Sequence, residues 1–131
     1  MAAKKYFYAV GKRKTATAQV RLYEWKWDSV INWVSFQDYV KRWDLFSVLL
    51  RALKITKQED NYYFEVKVEW AWESAQAQAI RHGISKALVE ANPTLKKTIK
   101  EDKLITRDAR QVERKKPWLH KARKASQWSK R

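Results

Sequence analysis

Cysteine is absent from the 131-residue chain, and glycine and proline occur only twice each. Without cysteine the chain has no thiol nucleophile, thiolate zinc site or iron–sulfur cluster, which fits a reducing compartment. Average usage of about 7% predicts roughly nine glycines in a chain of this length, so glycine is strongly depleted. Neither glycine lies in a phosphate-binding loop motif. Thiol chemistry and glycine-loop nucleotide binding are therefore excluded.

Long apolar runs are also missing. No run approaches the roughly 20 residues of a membrane-spanning helix, and the N-terminal residues Met-Ala-Ala-Lys-Lys-Tyr lack the apolar segment of a secretory signal. We therefore expect a cytoplasmic protein with no membrane partner. A hydrophobic content of 45% is sufficient for one core of ordinary size, so we predict one domain with extensions.

Groups suited to catalysis are few. The chain has two histidines, His82 in a predicted helix beside Arg81 and His120 near the C-terminus. Neither has a partner nucleophile in the sequence, and the adjacent acidic pairs at residues 59–60 and 101–102 are typical of solvated loops. We therefore interpret His82 as a surface or RNA-contacting side chain and not as a general base. We predict no catalytic residue, no metal site and no cofactor, and hence a protein that is not an enzyme.

Positive charge is abundant and unevenly distributed. The chain has 29 lysines and arginines against 14 acidic residues, a formal net charge of +15. Residues 1–21 contain six bases and no acid, residues 22–105 are almost neutral, and residues 106–131 contain ten bases and two acids. A solubilising surface normally mixes both signs, and these ends do not. A polyanionic partner is therefore expected, and RNA, DNA and anionic membrane remain possible on charge alone.

Alternating apolar and polar residues predict strands at residues 6–10, 15–22 and 62–68, with a short further strand at residues 30–32. The first two strands should form a hairpin. Its connection runs from Gly11 to Lys14, and Gly11 is free there to adopt positive φ. Residues 106–114 alternate more loosely and predict a last strand.

Helical spacing of apolar residues predicts helices over residues 36–53 and 74–91. Ser74 is a candidate N-cap for the second helix, which Asn92 and Pro93 terminate, and Pro93 begins a further short helix. Residues 1–114 are thus predicted to form one globular RNA-binding domain. Residues 115–131 lack apolar periodicity and are predicted to be an extended basic tail that orders on a partner.

The residues best suited to binding nucleic-acid phosphates lie in the predicted hairpin connection and along the C-terminal segment. Lysine and arginine provide charge, and the arginine fork can also bind a phosphate with two hydrogen bonds or stack on a base. The candidates are Lys12, Arg13, Lys14, Arg107, Arg110, Arg114, Lys115, Lys116, Lys121, Arg123 and Lys124. No amphipathic basic helix presents a large apolar face, so a membrane is the weakest alternative.

Three segments carry a resemblance to a known family. They are residues 11–22 (GKRKTATAQVRL), 76–90 (QAQAIRHGISKALVE) and 104–116 (LITRDARQVERKK), and the final Ser-Lys-Arg also matches. In this order they resemble the bacterial small-subunit ribosomal protein S9 family. The resemblance runs almost end to end, although residues 36–61 match only weakly.

The resemblance implies an α+β fold of the ribosomal protein S5 domain 2-like type, a mostly antiparallel sheet backed by two helices with an extended basic C-terminal tail. It also implies a structural role in the head of the small subunit, with the 3′ major domain of rRNA and neighbouring head proteins as partners. Besides the candidates above, Arg21, Arg81 and His82 would hold rRNA. The terminal residues Ser129, Lys130 and Arg131 would contact the peptidyl-site tRNA. The alternative is a free-standing basic RNA-binding protein or RNA chaperone.

Tryptophan is as abundant as glycine is rare, with eight residues. Six of them occupy positions where the family that the chain resembles usually has glycine: Trp25, Trp27, Trp33, Trp70, Trp72 and Trp118. Three interpretations compete: rings on which bases stack, which contribute about 1–3 kcal/mol each, core aromatics, or a codon used for glycine in the source organism and read as tryptophan. Turns that need positive φ strain a bulky ring, which favours the third.

Overall fold

The computed structural model describes residues 5–69 and 71–128. Trp70 and the predicted tRNA contacts Ser129, Lys130 and Arg131 lie outside the described residues. The strands are β1 (Tyr6–Arg13), β2 (Ala16–Tyr23), β3 (Val30–Ile31), β4 (Val34–Ser35) and β5 (Tyr63–Val68). The helices are α1 (Phe36–Tyr39), α2 (Trp43–Thr56), α3 (Glu73–Ala91) and α4 (Lys96–Glu101), with a 3-10 turn at Pro93–Leu95 before α4.

The five strands form one sheet in the order β1-β2-β5-β3-β4. All neighbours are antiparallel except β3 and β5, which run parallel. The predicted hairpin is confirmed as β1 and β2, and the predicted α+β class with a mostly antiparallel sheet is also confirmed.

The core lies between one face of the sheet and the long helices. Buried side chains alternate along β2, so that Ala16, Ala18, Val20 and Leu22 face α3. Ile80, Ile84 and Leu88 of α3 are buried against them, and Leu49 of α2 joins the same cluster. The predicted apolar faces of α3 and β2 therefore meet in one core.

The two glycines lie against each other where β1 meets α3. Gly11 does not adopt positive φ, contrary to the sequence-based prediction, and it lies within β1 rather than in the turn. A Cβ on Gly11 would overlap the carbonyl oxygen of Ala79 and the backbone nitrogen of Gly83. The need for glycine at position 11 is thus a close approach of strand to helix.

Three other predictions are wrong in detail. The helix predicted over residues 36–53 is two helices, because Val40 is buried in an extended conformation between α1 and α2. Ser74 does not cap α3, since the helix begins at Glu73 with Trp72 at the N-cap and no side-chain cap. No strand forms at residues 106–114, where backbone carbonyls accept hydrogen bonds from side chains instead of from a strand.

The tryptophans are on the surface. All seven within the described residues are 71–97% exposed: Trp25, Trp27, Trp33, Trp43, Trp72, Trp118 and Trp128. The interpretation of core aromatics is therefore wrong for these positions.

Two of the exposed tryptophans have the backbone conformation of glycine. Asn32 and Trp33 join β3 to β4 with φ values of 47° and 70°, the double positive φ of a type I′ turn that favours Asn-Gly. Trp118 has φ of 71°, follows Pro117, and lies in a turn closed by a 3.2 Å hydrogen bond from Leu119 N–H to Lys116 O. This is the pattern of a type II turn, which favours glycine at its third residue. Trp33 and Trp118 are therefore at glycine-type positions on backbone geometry alone.

Replacing Trp33 or Trp118 with glycine is expected to raise the free energy of unfolding by about 0.5–1 kcal/mol each. A residue with a Cβ pays about 1–2 kcal/mol in the left-handed region, and the greater freedom of glycine in the unfolded chain offsets part of that gain. Trp43→Gly is the control, because Trp43 is an exposed tryptophan without positive φ at the start of α2, where glycine relieves no strain and only adds freedom to the unfolded chain. If the melting temperatures of all three variants shifted in the same direction, backbone strain at Trp33 and Trp118 would be contradicted.

Candidate nucleic-acid interface

The cationic residues 12–14 lie at the end of the β1–β2 hairpin, although only one of them is in its turn. Lys12 and Arg13 are the last residues of β1, and Lys14 begins the turn with φ of 52°. Lys12 and Lys14 are exposed, whereas the side chain of Arg13 is only 11% exposed. The prediction that all three lie in the hairpin connection is therefore wrong for Lys12 and Arg13, which belong to β1.

Arg13 binds the start of the C-terminal segment. Its guanidinium donates to the carbonyl oxygens of Arg110 (3.1 Å) and Asp108 (3.4 Å), and it forms an ion pair with the Asp108 carboxylate at 2.9 Å. Nε donates to Oε1 of Gln78 on α3 at 2.7 Å. Arg13 thus joins the hairpin, α3 and residues 108–110.

His82 makes a second connection at the same place. Nδ1 lies 3.2 Å from the Lys12 amide nitrogen, and Nε2 lies 2.8 Å from the carbonyl oxygen of Ile105. Nδ1 can only accept from an amide and Nε2 can only donate to a carbonyl, so the neutral Nε2–H tautomer satisfies both bonds. Burial lowers the pKa of the imidazole, and nearby cations lower it further against the opposing bond to Ile105. Both ring nitrogens therefore have protein partners.

The two basic ends of the sequence consequently converge. Asp108 accepts from the amide and guanidinium of Arg110, and these bonds, together with the Arg13 charge, hold the pKa of the Asp108 carboxyl well below its usual range. Asp108 thus pairs with two arginines, Arg110 within its own segment and Arg13 on the hairpin. The hairpin end and residues 105–110 form one surface, which we call the basic junction.

Beyond the basic junction, the cations are exposed. Arg114, Lys115, Lys121 and Lys124 are solvent-exposed, as is Arg107 within the basic junction, and Lys116 is partly exposed. Lys116 and Arg123 both pair with Glu113, the latter at 2.9 Å, and a bridge between Leu119 and Ala125 bends the segment back on itself. Surface pairs of this kind contribute little free energy and are readily exchanged for phosphates.

Arg21 lies apart from the basic junction. It is exposed on the face of the sheet that points away from α3, with its Cζ atom 5.3 Å from the centroid of the Tyr6 ring. Tyr23 on the same face stacks on Tyr63 at 4.8 Å. The structure therefore places this predicted rRNA contact beside the exposed Tyr6 ring, away from the basic junction.

Arg81 faces a cleft that sequence reasoning missed. The cleft has a volume of about 480 Å³ between α2 and α3, and Arg51 and Lys54 line it together with Arg81 and Asp102. Arg51 and Lys54 belong to the part of the chain with no net charge. Their spacing of three residues could have indicated the cleft, because it places both cations on one face of the helix.

A basic junction on a helix-backed antiparallel sheet, continued by an exposed cationic segment, defines a class of small polyanion-binding α+β proteins. Within the described part of the chain, no helix has the length and apolarity required to cross a membrane. The family model for ribosomal protein S9/S16 matches residues 11–131. The chain belongs to this family: it is a small-subunit ribosomal protein that binds rRNA, a structural component of the translating ribosome rather than a member of an enzyme family.

Proposed function

We propose that the protein binds the 3′ major domain of rRNA in the head of the small subunit, and that the end of its C-terminal segment contacts the peptidyl-site tRNA in the cytoplasmic ribosome. The observation that carries the proposal is the basic junction. Cations from residues 12–14 and from residues 107–110 are more than ninety positions apart in sequence, yet Arg13 joins them directly. A single surface of this kind can follow a folded phosphate backbone.

The predicted domain and the predicted tail would have different roles on rRNA. Leu104 is buried and Ile105 is partly buried, whereas the residues beyond the basic junction are mostly exposed. A domain of residues 1–114 would then be positioned on rRNA by the basic junction. Residues 115–131 would extend from it along RNA, ordering as their charges meet phosphates.

Sedimentation of native ribosomes through gradients of high salt tests the location. A structural component held by several phosphate contacts within folded rRNA should remain with the small subunits in salt that removes loosely bound proteins. A free-standing RNA chaperone, by contrast, depends on accessible charge contacts and should move to the top of the gradient. Recovery mainly in the soluble fraction would reject the ribosomal location and favour the chaperone.

Deleting residues 129–131 is expected to leave incorporation into small subunits intact and to weaken binding of tRNA to the peptidyl site, most strongly at low salt, where the lost phosphate contacts contribute most. The deletion removes two cations that the family resemblance assigns to tRNA phosphates, and it leaves the basic junction complete. Filter binding of tRNA to purified subunits across a salt series measures the effect. A matched variant, Lys121→Gln with Lys124→Gln, also removes two cations and should change tRNA affinity less. Equal tRNA affinity for the deletion and the intact chain would refute the tail assignment.

A further inference from the structure

We propose that the cleft between α2 and α3 is a second RNA-backbone site, in which Arg51, Lys54 and Arg81 bind a phosphate. We call it the α2–α3 cleft. The inference rests on the proposed rRNA binding and extends it to residues of the neutral middle of the chain.

The charge of the α2–α3 cleft favours an anion. Arg51 and Lys54 lie one turn apart on α2, and Arg81 faces them from α3. Asp102 is the acidic residue of the lining, so the cations exceed it by two. The ion pair of Asp102 with Arg51 is long, at 3.8 Å, and both side chains are well exposed, so it holds Arg51 only weakly.

Arg81 provides the stronger argument. Its side chain is half-buried, yet its guanidinium has no hydrogen bond or ion pair with any residue that the structure describes, and only its carbonyl oxygen has a partner, Ser85. Burial lowers the pKa of Arg81, repulsion from Arg51 and Arg13 lowers it further, and attraction to Asp108 partly opposes these effects. A guanidinium with five donors, facing a cavity and repelled by neighbouring cations, is suited to a bidentate contact with phosphate.

The shape of the α2–α3 cleft fits a nucleotide rather than a small ion. A volume of about 480 Å³ is much larger than a phosphate needs, and Val48 and Ile55 provide apolar walls beside the cations. A sugar or base edge can pack on such walls while the phosphate meets Arg81. Because Arg13 bonds to Gln78, one turn before Arg81 on α3, an RNA strand leaving the basic junction can continue into the α2–α3 cleft.

Removing the two α2 cations tests the proposal. The double variant Arg51→Gln with Lys54→Gln is compared with Lys96→Gln and Lys97→Gln, which removes two exposed lysines from α4 outside the cleft. Binding to a transcript of the rRNA 3′ major domain is measured across a salt series. The slope of log affinity against log salt is expected to fall in magnitude by roughly 0.7 to 0.9 for the cleft variant, as for one phosphate that is no longer neutralised, and by less than half of that for the control.

Directed hydroxyl-radical cleavage provides an independent readout, because the chain has no cysteine of its own. An iron chelate is attached to Ser47→Cys at the α2–α3 cleft, or to Thr98→Cys on the exposed side of α4. We expect strong cleavage of the bound transcript from position 47 and weak cleavage from position 98. Equal slopes for the two double variants, or cleavage from position 98 as strong as from position 47, would overturn the cleft site. Failure of the unmodified protein to bind the transcript would instead reject the proposed function.

Discussion

Replacing Gly11 with alanine is expected to destabilise the domain by at least about 3 kcal/mol. Overpacking a core costs typically 1–3 kcal/mol, and here the added methyl group would overlap backbone atoms of Ala79 and Gly83, which cannot move as a side chain can. The strand β1 would have to separate from α3. Thermal or urea unfolding measures the loss, which corresponds to a melting temperature lower by roughly 10 °C.

Two controls make this result specific. Gly83→Ala should cost less than Gly11→Ala, because its nearest neighbour is Cγ2 of Val20 at 2.5 Å, a side-chain atom, and because alanine is favoured over glycine within a helix. Lys12→Ala changes an exposed neighbour in β1 and should alter stability by no more than about 0.5 kcal/mol. If Gly11→Ala melted at the temperature of the Lys12 variant, the close approach of β1 and α3 would be contradicted.

Replacing Arg13 with alanine is expected to release residues 105–110 from the domain and to reduce the free energy of unfolding by about 2 kcal/mol. Hydrogen bonds to charged groups contribute roughly 1.5–3 kcal/mol, and Arg13 makes several while almost completely shielded from solvent. Trypsin should then cleave faster after Arg107 and Arg110. Binding to the 3′ major domain transcript should also weaken, because the two halves of the basic junction are no longer joined.

Lys14→Gln is the matched control for Arg13→Ala. Lys14 is exposed at the same hairpin end, so its loss removes one cation without releasing the C-terminal segment. The salt slope of RNA binding should fall by roughly 1, with no change in tryptic cleavage. If Arg13→Ala were cleaved no faster than Lys14→Gln, Arg13 would be a phosphate contact and not the connection that we describe.

The sequence-based prediction succeeded where the signal was local. Alternation along residues 16–22 and three- and four-residue spacing along α3 each depend only on neighbouring positions, and both elements are present. The strand predicted at residues 106–114 was wrong for a non-local reason. Arg13 and His82 donate to the carbonyls of Ile105, Asp108 and Arg110 from distant parts of the chain, and no residue pattern within that segment reveals these donors.

The candidate site was predictable in its residue types and not in its arrangement. Clustered charge identified Lys12, Arg13 and Arg110, but their roles differ: the Arg13 side chain is shielded and bonds to the carbonyl of Arg110, whereas Lys12 and Arg110 are exposed. Net charge concealed Arg51 and Lys54, since acids elsewhere in residues 22–68 balance them. Contacts to individual residues of rRNA stay predictions.

The hypothesis that six tryptophans represent glycines also stays a prediction. Positive φ at Trp33 and Trp118 supports it at two positions, and the exposure of Trp25, Trp27 and Trp72 is compatible with base stacking as well. The intact mass of the native protein distinguishes genuine tryptophans from misread glycines, because each tryptophan read in place of glycine adds the mass of its indole side chain. A native mass that matches eight tryptophans would reject the decoding hypothesis.

We expect the basic junction to bind one region of rRNA as a single surface. Chemical footprinting of full-length small-subunit rRNA with the intact protein tests it most directly. We predict protection confined to the 3′ major domain at salt concentrations that suppress non-specific binding, and loss of much of that protection with Arg13→Ala. Protection spread evenly over all domains of the rRNA, or protection unchanged by Arg13→Ala, would contradict the account.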